Sequence, residues 1–227
     1  RRPRGRGTSQ RAPHGVSQTA AMTGAGLMPG YAAERMSRAG APRFLLLHGF
    51  TGGRGDWSGW PGSGPPALAI DLPGHGESGD PAGDYRAEVA RLLEALPPSV
   101  DRLVGYSLGG RIALSMLAAP PARFEAAPVM SAHPGLGDES ERAARRDADR
   151  CWIRLLREQG IGAFVDAWEA QALFATQHAL PPAALQAQRA RRRAQRAEGL
   201  ARSLECLGLG RMPSTRRALE AYAGRLD

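Results

Sequence analysis

A serine between two glycines is the residue of this 227-residue chain whose setting best suits chemistry. Gly105, Ser107 and Gly109 form the pattern G-x-S-x-G, placed between an apolar run and a helical pattern. In that position the pattern is typical of a tight strand-to-helix turn that exposes a nucleophilic serine. The helix that follows points its positive N-terminal end at the serine. Such a serine needs a histidine to accept its proton and an acid to orient that histidine.

A second loop is expected to serve the same serine. The turn His48-Gly49-Phe50 follows a short apolar run, and in this architecture such a loop supplies one backbone N–H of an oxyanion hole. We expect Phe50 and Leu108 to provide the two N–H groups. His48 and His75, in the turns HGF and LPGHGES, are interpreted as residues that organise their own loops. Together with G-x-S-x-G, these loops predict an α/β-hydrolase fold.

The elements that must position these residues follow one another along the first half of the chain. The predicted strands and helices are, in order, Phe44–Leu47, Ala67–Asp71, helix Tyr85–Leu96, Asp101–Tyr106, helix Ser107–Ala118 and Ala127–Ser131. Strands that alternate with helices predict an α/β fold with a mostly parallel sheet, whose active site lies at the carboxyl ends of the strands. The segment 58–66 is rich in Gly and Pro where this fold usually places a helix.

Helical patterns alone occupy the next part of the chain. They cover Glu139–Arg157, Gly162–Ala172, Pro182–Arg193 and Gly199–Leu207, and a last helix is predicted from Ser214 to the end. A helical block inserted after the fourth predicted strand indicates a cap over the active edge of the sheet. The predicted division is a disordered basic extension over 1–42, a hydrolase core over 43–135, a helical cap over 136–210 and the start of a return to the core over 211–227.

Charge and composition limit the classes of function. The net charge is +8, but residues 1–43 hold eight arginines and one acid, so most of the surplus lies in the extension. The chain has no lysine and no aromatic residues interleaved with basic ones, which disfavours nucleic-acid binding. No apolar run approaches the roughly 18 residues of a membrane span. Cys151 and Cys206 show no metal-binding spacing and are read as free thiols, which predicts a cytoplasmic location.

The Arg-rich leader has two interpretations. We favour an over-extended gene start, because Met22, Met28 and Met36 all precede the first predicted strand. The alternative is an organelle transit peptide, since such leaders are rich in Arg and poor in acids.

Six segments occur in one order between residue 43 and about residue 220. They are LLLHGFTG, DLPGHGESG, GYSLGGRIAL, SAHPGLGDESERAARRDADRCW, FVDAWEAQALFATQ and GLARSLECLGLGRMPS. Together they resemble the 2-succinyl-6-hydroxy-2,4-cyclohexadiene-1-carboxylate synthase family of menaquinone biosynthesis, a lyase family on a hydrolase scaffold. The resemblance implies elimination of pyruvate from 2-succinyl-5-enolpyruvyl-6-hydroxy-3-cyclohexene-1-carboxylate by a serine that a histidine deprotonates. It implies neither a metal nor an organic cofactor.

Arginines and aromatic residues are expected to bind this small polycarboxylate substrate, because arginine suits bidentate binding of carboxylates. The resemblance implies a pocket that includes Arg111, Arg145, Trp168 and Phe174, with a further arginine between Arg189 and Arg193, of which we choose Arg192. Tyr106, which precedes the serine, is also expected to line the site. The alternative for each cap arginine is a solvent-exposed helix face.

The acid and the histidine that should act with Ser107 are not found in the sequence. In this fold the chain order is serine, acid, histidine, yet no strand, G-x-x-D turn or G-H turn is recognised after Arg211. His14 lies in the extension and His133 in a family turn, while His178 would be a base out of the order of the fold. We therefore expect a C-terminally truncated sequence that lacks the last strands and is nearly inactive.

Two other functions remain as alternatives. The first is a generic carboxylester hydrolase, which uses the same serine turn without the arginines. The second is a non-catalytic protein that binds anionic metabolites. The sequence makes no prediction of oligomeric state.

Overall fold

The structure is a computed structural model that describes residues 26–37, 40–119, 123–222 and 225–226. The described residues contain one sheet of seven short strands: β1 (Ala33–Arg35), β2 (Phe44–Leu47), β3 (Ala67–Ile70), β4 (Arg102–Tyr106), β5 (Ala126–Ala127), β6 (Val129–Met130) and β7 (Arg225–Leu226). Their order across the sheet is β1-β3-β2-β4-β5-β7, with β6 also paired to β4. β1 is antiparallel to β3, and the other pairings are parallel.

The central strands form because their sequences are continuous apolar runs that can be buried on both faces. All four residues of β3 are buried, as are three of the four in β2. The register pairs Leu47 with Ile70 on one side and with Gly105 on the other. The carboxyl ends of these three strands therefore meet, and the loops that begin at His48, Asp71 and Ser107 share one edge of the sheet.

Helices cover one face of the sheet and tryptophans help to cover the other. The helices α1 (Tyr85–Ala95) and α2 (Leu108–Ala118) pack with Leu45 and Leu47 in the main core. On the opposite face, Trp57 and Trp60 pack over Leu46 and its neighbours, and the rings of Trp60 and Phe44 lie 5.5 Å apart. The short 3-10 helix Arg54–Trp57 precedes the Gly- and Pro-rich segment 58–66, which forms turns and bends. The side chains of Trp57 and Trp60 therefore cover this face where a longer helix is usual.

The N-terminal part differs from the prediction. A disordered extension was expected over residues 1–42, but residues 26–37 are packed on the core. Met28 and Tyr31 are buried, and β1 extends the sheet at the edge of β3. Unpaired strand edges favour such a cover. Residues 1–25 lie outside the described part of the chain.

The fourth predicted strand, Ala127–Ser131, is divided into β5 and β6 by Pro128. Proline has no N–H to donate to a ladder, which interrupts the pairing there. Its carbonyl still accepts a hydrogen bond from the Gly105 N–H, at 3.1 Å. The strand pair therefore continues along β4 with an offset.

Three longer helices follow and form what we call the helical segment, residues 139–207. They are α3 (Glu139–Glu169), α4 (Pro182–Arg193) and α5 (Ala197–Leu207), with the 3-10 helix Ala172–Ala179 between the first two. Two helices were predicted where α3 runs, and the structure joins them across a break at Gly160, whose φ is 77°. Within the described chain, no helix combines the length and apolarity needed to cross a membrane.

The C-terminal part also differs from the prediction. The helix expected from Ser214 to the end is the short α6 (Arg216–Glu220), and β7 follows it in parallel with β5. The statement that no strand follows Arg211 was therefore wrong. A two-residue strand leaves no periodic pattern in the sequence, which explains why it was missed.

Candidate active site

Ser107 lies in a strained turn between β4 and α2, with φ of 52° and ψ of −108°. Positive φ is unfavourable for a residue with a side chain, so the surroundings must hold the turn in place. The Ser107 N–H donates to the Met130 carbonyl at 2.8 Å, and its carbonyl accepts from the Arg111 N–H at 2.9 Å. A Cβ at Gly109 would lie 2.1 Å from the Leu47 carbonyl oxygen, so only glycine permits this approach of α2 to β2.

The loop after β2 passes directly beside the serine. The Gly109 N–H donates to the His48 carbonyl at 3.0 Å, and a Cβ at Gly49 would lie 3.6 Å from that of Ser107. Among the described residues, no protein acceptor receives a hydrogen bond from the N–H of Phe50 or Leu108. Two backbone donors are thus free on the loops that flank a half-buried serine. This arrangement suits an oxyanion hole.

His48 and His75 are buried, and the backbone uses both nitrogens of each ring. Nε2 of His48 accepts from the Leu72 N–H at 2.9 Å, so Nδ1 carries the proton and donates to the Gly49 carbonyl at 2.7 Å. Nε2 of His75 accepts from the Thr51 N–H at 3.3 Å. Burial lowers the pKa of both rings, that of His75 to about 3. Both histidines are therefore neutral organisers of their loops, as the sequence predicted.

The remaining histidines give Ser107 no partner within the described chain. Nδ1 of His133 accepts from the Gly135 N–H at 3.1 Å. His178 lies in the 3-10 helix after α3, and its side chain is outside the description, as is all of His14. Among histidines with described side chains, each ring bonds to the backbone of a loop.

Asp71, at the end of β3, is a buried carboxylate that also serves the loops. It accepts from the backbone N–H groups of Arg54 at 2.7 Å and Glu77 at 3.0 Å, and it pairs with the Arg54 guanidinium. Because these donors lie in the segments that follow β2 and β3, Asp71 holds the two loops together and does not orient a catalytic base.

An aromatic cluster of the helical segment lies against the loop after β2. The Phe50 ring is 5.3 Å from Trp168 and 6.2 Å from Phe164, and Trp168 is 5.9 Å from Phe174. Trp152 completes the cluster, 5.1 Å from Trp168. The structure thus brings together three predicted site residues, Phe50, Trp168 and Phe174. The sequence reading missed Phe164 and Trp152 as members, although both lie in the segments that carry the resemblance.

Arg192 contacts the same cluster, but a carboxylate of the protein holds it. The side chain is buried and donates to Glu169 at 2.9 Å, with its guanidinium carbon 5.0 Å from the centre of the Phe174 ring. Arg192 and Phe174 line a cavity of about 410 Å³. The predicted arginine therefore lies beside predicted aromatic residues with its charge already balanced.

Arg111 and Arg145 form a second group, around Asp149. Arg145 donates to Asp149 at 3.1 Å, and Arg111 donates to the Leu207 carbonyl at 3.0 Å. Burial raises the pKa of Asp149 in spite of both arginines, and burial lowers the pKa of Arg111. The Arg145 side chain remains 43% exposed, so it keeps N–H groups for an outside anion. Tyr106 is 45% exposed beside the serine turn.

Comparison with known proteins identifies the family of this chain. Residues 44–225 match the model of the alpha/beta hydrolase family. A Klebsiella pneumoniae subsp. pneumoniae protein named 2-succinyl-6-hydroxy-2,4-cyclohexadiene-1-carboxylate synthase is 35% identical over 84% of this chain and 77% of its own length. A Salmonella schwarzengrund protein of the same name is 37% identical over 85% of the chain and 78% of its own length. The chain belongs to this synthase family of alpha/beta hydrolases.

Solved structures agree with the family. The structure of MenH from S. aureus has a TM-score of 0.78 and 25% identity, and the match covers 86% of this chain and 77% of that one. A thermophilic esterase from Thermogutta terrifontis has a TM-score of 0.68 at 20% identity, covering 86% of this chain and 72% of the esterase, which is a likeness of fold. The predicted α/β-hydrolase fold and the family resemblance are confirmed.

Proposed function

We propose that this chain carries the serine and the substrate-binding side chains of a carbon–oxygen lyase. The reaction eliminates pyruvate from 2-succinyl-5-enolpyruvyl-6-hydroxy-3-cyclohexene-1-carboxylate to give 2-succinyl-6-hydroxy-2,4-cyclohexadiene-1-carboxylate. The observation that carries the proposal is the strained Ser107 turn, flanked by the free N–H groups of Phe50 and Leu108. The names of the relatives give the product of this reaction, and the substrate is the one that the family resemblance implies.

In the proposed mechanism, a general base outside the described residues takes the Ser107 hydroxyl proton, and Oγ then removes a proton from a ring carbon. The electron pair of that C–H bond forms the new ring double bond, and the C–O bond to the enolpyruvyl group breaks. Pyruvate leaves as its enolate, which takes up the proton that the base removed from Ser107. The N–H groups of Phe50 and Leu108, with the N-terminal end of α2, stabilise the negative charge that develops. The mechanism assigns no step to a metal or an organic cofactor.

Substrate carboxylates would meet the arginines of the helical segment. Arg145 is the best placed, because its side chain is partly exposed while Asp149 holds it in one orientation. Arg111, Trp168 and Phe174 would form the walls of the pocket, and Tyr106 its rim. Arg192 acts on the substrate in this proposal only if a carboxylate displaces or shares its bond to Glu169.

The proton acceptor for Ser107 is the part that the described chain does not supply. His48 and His75 are unsuitable, because their ring nitrogens already bond to the backbone and burial lowers the pKa of both rings, which makes them weak bases. We therefore propose that the described residues alone support only slow turnover, about 10⁴-fold or more below that of a protein in which a histidine lies against this serine.

Pyruvate release, measured by coupling to lactate dehydrogenase, tests the proposal. We compare the 227-residue chain with the same chain followed by the C-terminal segment of the Klebsiella relative. The extended chain should gain at least about 10³-fold, and Ser107→Ala should remove that gain. Full turnover by the shorter chain would contradict the missing base, and an active Ser107→Ala variant would contradict the role of the serine.

Two further measurements test the substrate and the alternative. Binding of the reaction product to the 227-residue chain should weaken about tenfold in Arg145→Ala and stay unchanged in Arg150→Ala, an exposed arginine on the same helix. Hydrolysis of p-nitrophenyl acetate by the extended chain, without pyruvate release, would favour a carboxylester hydrolase instead.

A further inference from the structure

The turn between α4 and α5 joins two core loops through one side chain, Gln195. Its Nε2 donates to the Gly52 carbonyl at 2.8 Å, on the loop after β2. Its Oε1 accepts from the Gly76 N–H, also at 2.8 Å, on the loop after β3. An amide is the side chain that donates and accepts at once, so Gln195 satisfies both loops.

The surrounding contacts fix the position of this turn. A Cβ at Gly74 would lie 2.2 Å from the Gly199 carbonyl oxygen, so the backbones of the core loop and of α5 touch. Arg196, next to Gln195, donates to the Ser78 carbonyl at 3.1 Å and to Asp80 at 2.7 Å. The contact of the two backbones by itself fixes the base from which Gln195 reaches the loops, and the Arg196 bonds add a separate link to Ser78 and Asp80.

The loop that Gln195 holds is also the loop that carries Phe50. The Gly52 N–H donates to the Gly49 carbonyl at 3.0 Å, which closes a tight turn around Phe50 and Thr51. Thr51 has a φ of 68°, an unfavourable conformation that persists only with outside support. Its N–H bonds to His75, and the next carbonyl bonds to Gln195. The direction of the Phe50 N–H depends on these supports.

We propose that Gln195 is a positioning residue for the oxyanion hole. It holds the Gly49–Gly52 turn so that the Phe50 N–H points at the charge that develops near Ser107. This role rests on the proposed function, since it assumes that the Phe50 N–H stabilises that charge. In this role the helical segment contributes to the oxyanion hole indirectly, because Gln195 positions the Phe50 N–H without contacting the substrate.

Three variants separate the contacts. Gln195→Leu removes both hydrogen bonds. Gln195→Glu keeps an acceptor for the Gly76 N–H, but its carboxylate has no proton for the Gly52 carbonyl. Arg196→Ala is the matched control, because it removes a neighbouring contact between the same turn and the core without touching the Gly49–Gly52 turn.

Amide hydrogen exchange of the 227-residue chain gives the first readout. Exchange in residues 48–53 should rise about five- to tenfold in Gln195→Leu and in Gln195→Glu, the effect of losing one hydrogen bond. It should not change in Arg196→Ala. Gly76 should exchange faster in Gln195→Leu alone. Unchanged exchange in residues 48–53 of Gln195→Leu would overturn the proposal.

Steady-state kinetics of the extended chain gives the second readout. Both Gln195 variants should lower kcat about tenfold and leave KM unchanged, whereas Arg196→Ala should change neither. A raised KM with an unchanged kcat would overturn the positioning role, because it would show a loss of ground-state binding. If the unsubstituted extended chain releases no pyruvate, the proposed function fails, and the exchange experiment alone still decides whether Gln195 holds the loop.

Discussion

The serine turn and the helical segment hold their functional groups by different means. Close backbone contacts hold Ser107 in place, because glycines permit an approach of strand, helix and loop that any Cβ would prevent. Two buried neutral histidines add hydrogen bonds to the backbone of the adjoining loops. In the helical segment, ion pairs between side chains hold the functional groups, such as Arg192 with Glu169 and Arg145 with Asp149. The first arrangement leaves little freedom, and the second permits exchange of partners.

This difference has a functional meaning. An oxyanion hole must not reorganise during the reaction, so rigid backbone donors suit it. In the proposed function, an arginine of the helical segment binds a substrate carboxylate while it gives up or shares a carboxylate of the protein. The helical segment keeps its own stability from the packing of Phe164, Leu156 and Leu200, while its exposed ion pairs each contribute only about 0–1 kcal/mol.

The largest expected effect is that of a single methyl group in the serine turn. Gly109→Ala would place a Cβ 2.1 Å from the Leu47 carbonyl oxygen, a clash with backbone that no rotamer relieves. We expect the free energy of unfolding to fall by about 3 kcal/mol or more. Urea unfolding followed by circular dichroism measures it. Gly59→Ala, which meets no atom within 4 Å, is the control and should change it by less than about 0.5 kcal/mol. Equal effects would mean that the turn is looser than the structure shows.

The second effect concerns pH, through the buried histidines. Burial lowers the pKa of His75 from 6.5 to about 3 in the folded chain, so between these values only the unfolded chain binds a proton there. Stability is therefore complete above pH 6.5 and falls as the pH is lowered. At pH 5 the loss due to His75 is about 2 kcal/mol relative to pH 7.

Unfolding of the wild type and of His75→Gln at pH 7 and pH 5 measures this contribution. The variant should be less stable at pH 7, because glutamine does not fill the space of the buried ring. Between pH 7 and pH 5, however, the variant should lose about 2 kcal/mol less stability than the wild type. An identical pH dependence in both chains would contradict this, because it would show that folding does not change the pKa of His75.

The sequence predicted those parts of the fold that local patterns encode. The apolar runs of β2, β3 and β4 and the G-x-S-x-G turn gave the parallel sheet and the place of Ser107. β1 was missed because Ala-Glu-Arg has no strand pattern, and only the free edge of β3 makes it a strand. The division of the fourth strand was not predicted, because the apolar run around Pro128 is typical of one continuous strand.

In the site, too, the sequence predicted local contacts but not contacts between residues that are far apart in the chain. The places of His48 and His75 in short loops sufficed to predict their structural role, because their partners lie in the backbone of those two loops. The partner of Arg192 is Glu169, 23 residues earlier and on another helix, and no periodicity links the two. Gln195 is a stronger case, since its two partners lie 143 and 119 residues away. Contacts of this kind depend on the tertiary fold.

The smallest expected effect tests whether Arg192 serves the protein or the substrate. Its side chain is 9% exposed and pairs with Glu169, whereas Arg193 is 46% exposed and pairs with Asp166. Arg192→Met should lower the free energy of unfolding by about 1–2 kcal/mol, and Arg193→Met by less than about 0.5 kcal/mol. Chemical denaturation of both variants provides the comparison. Should Arg192→Met leave stability unchanged and weaken product binding, the pair with Glu169 would be a resting contact that the substrate replaces.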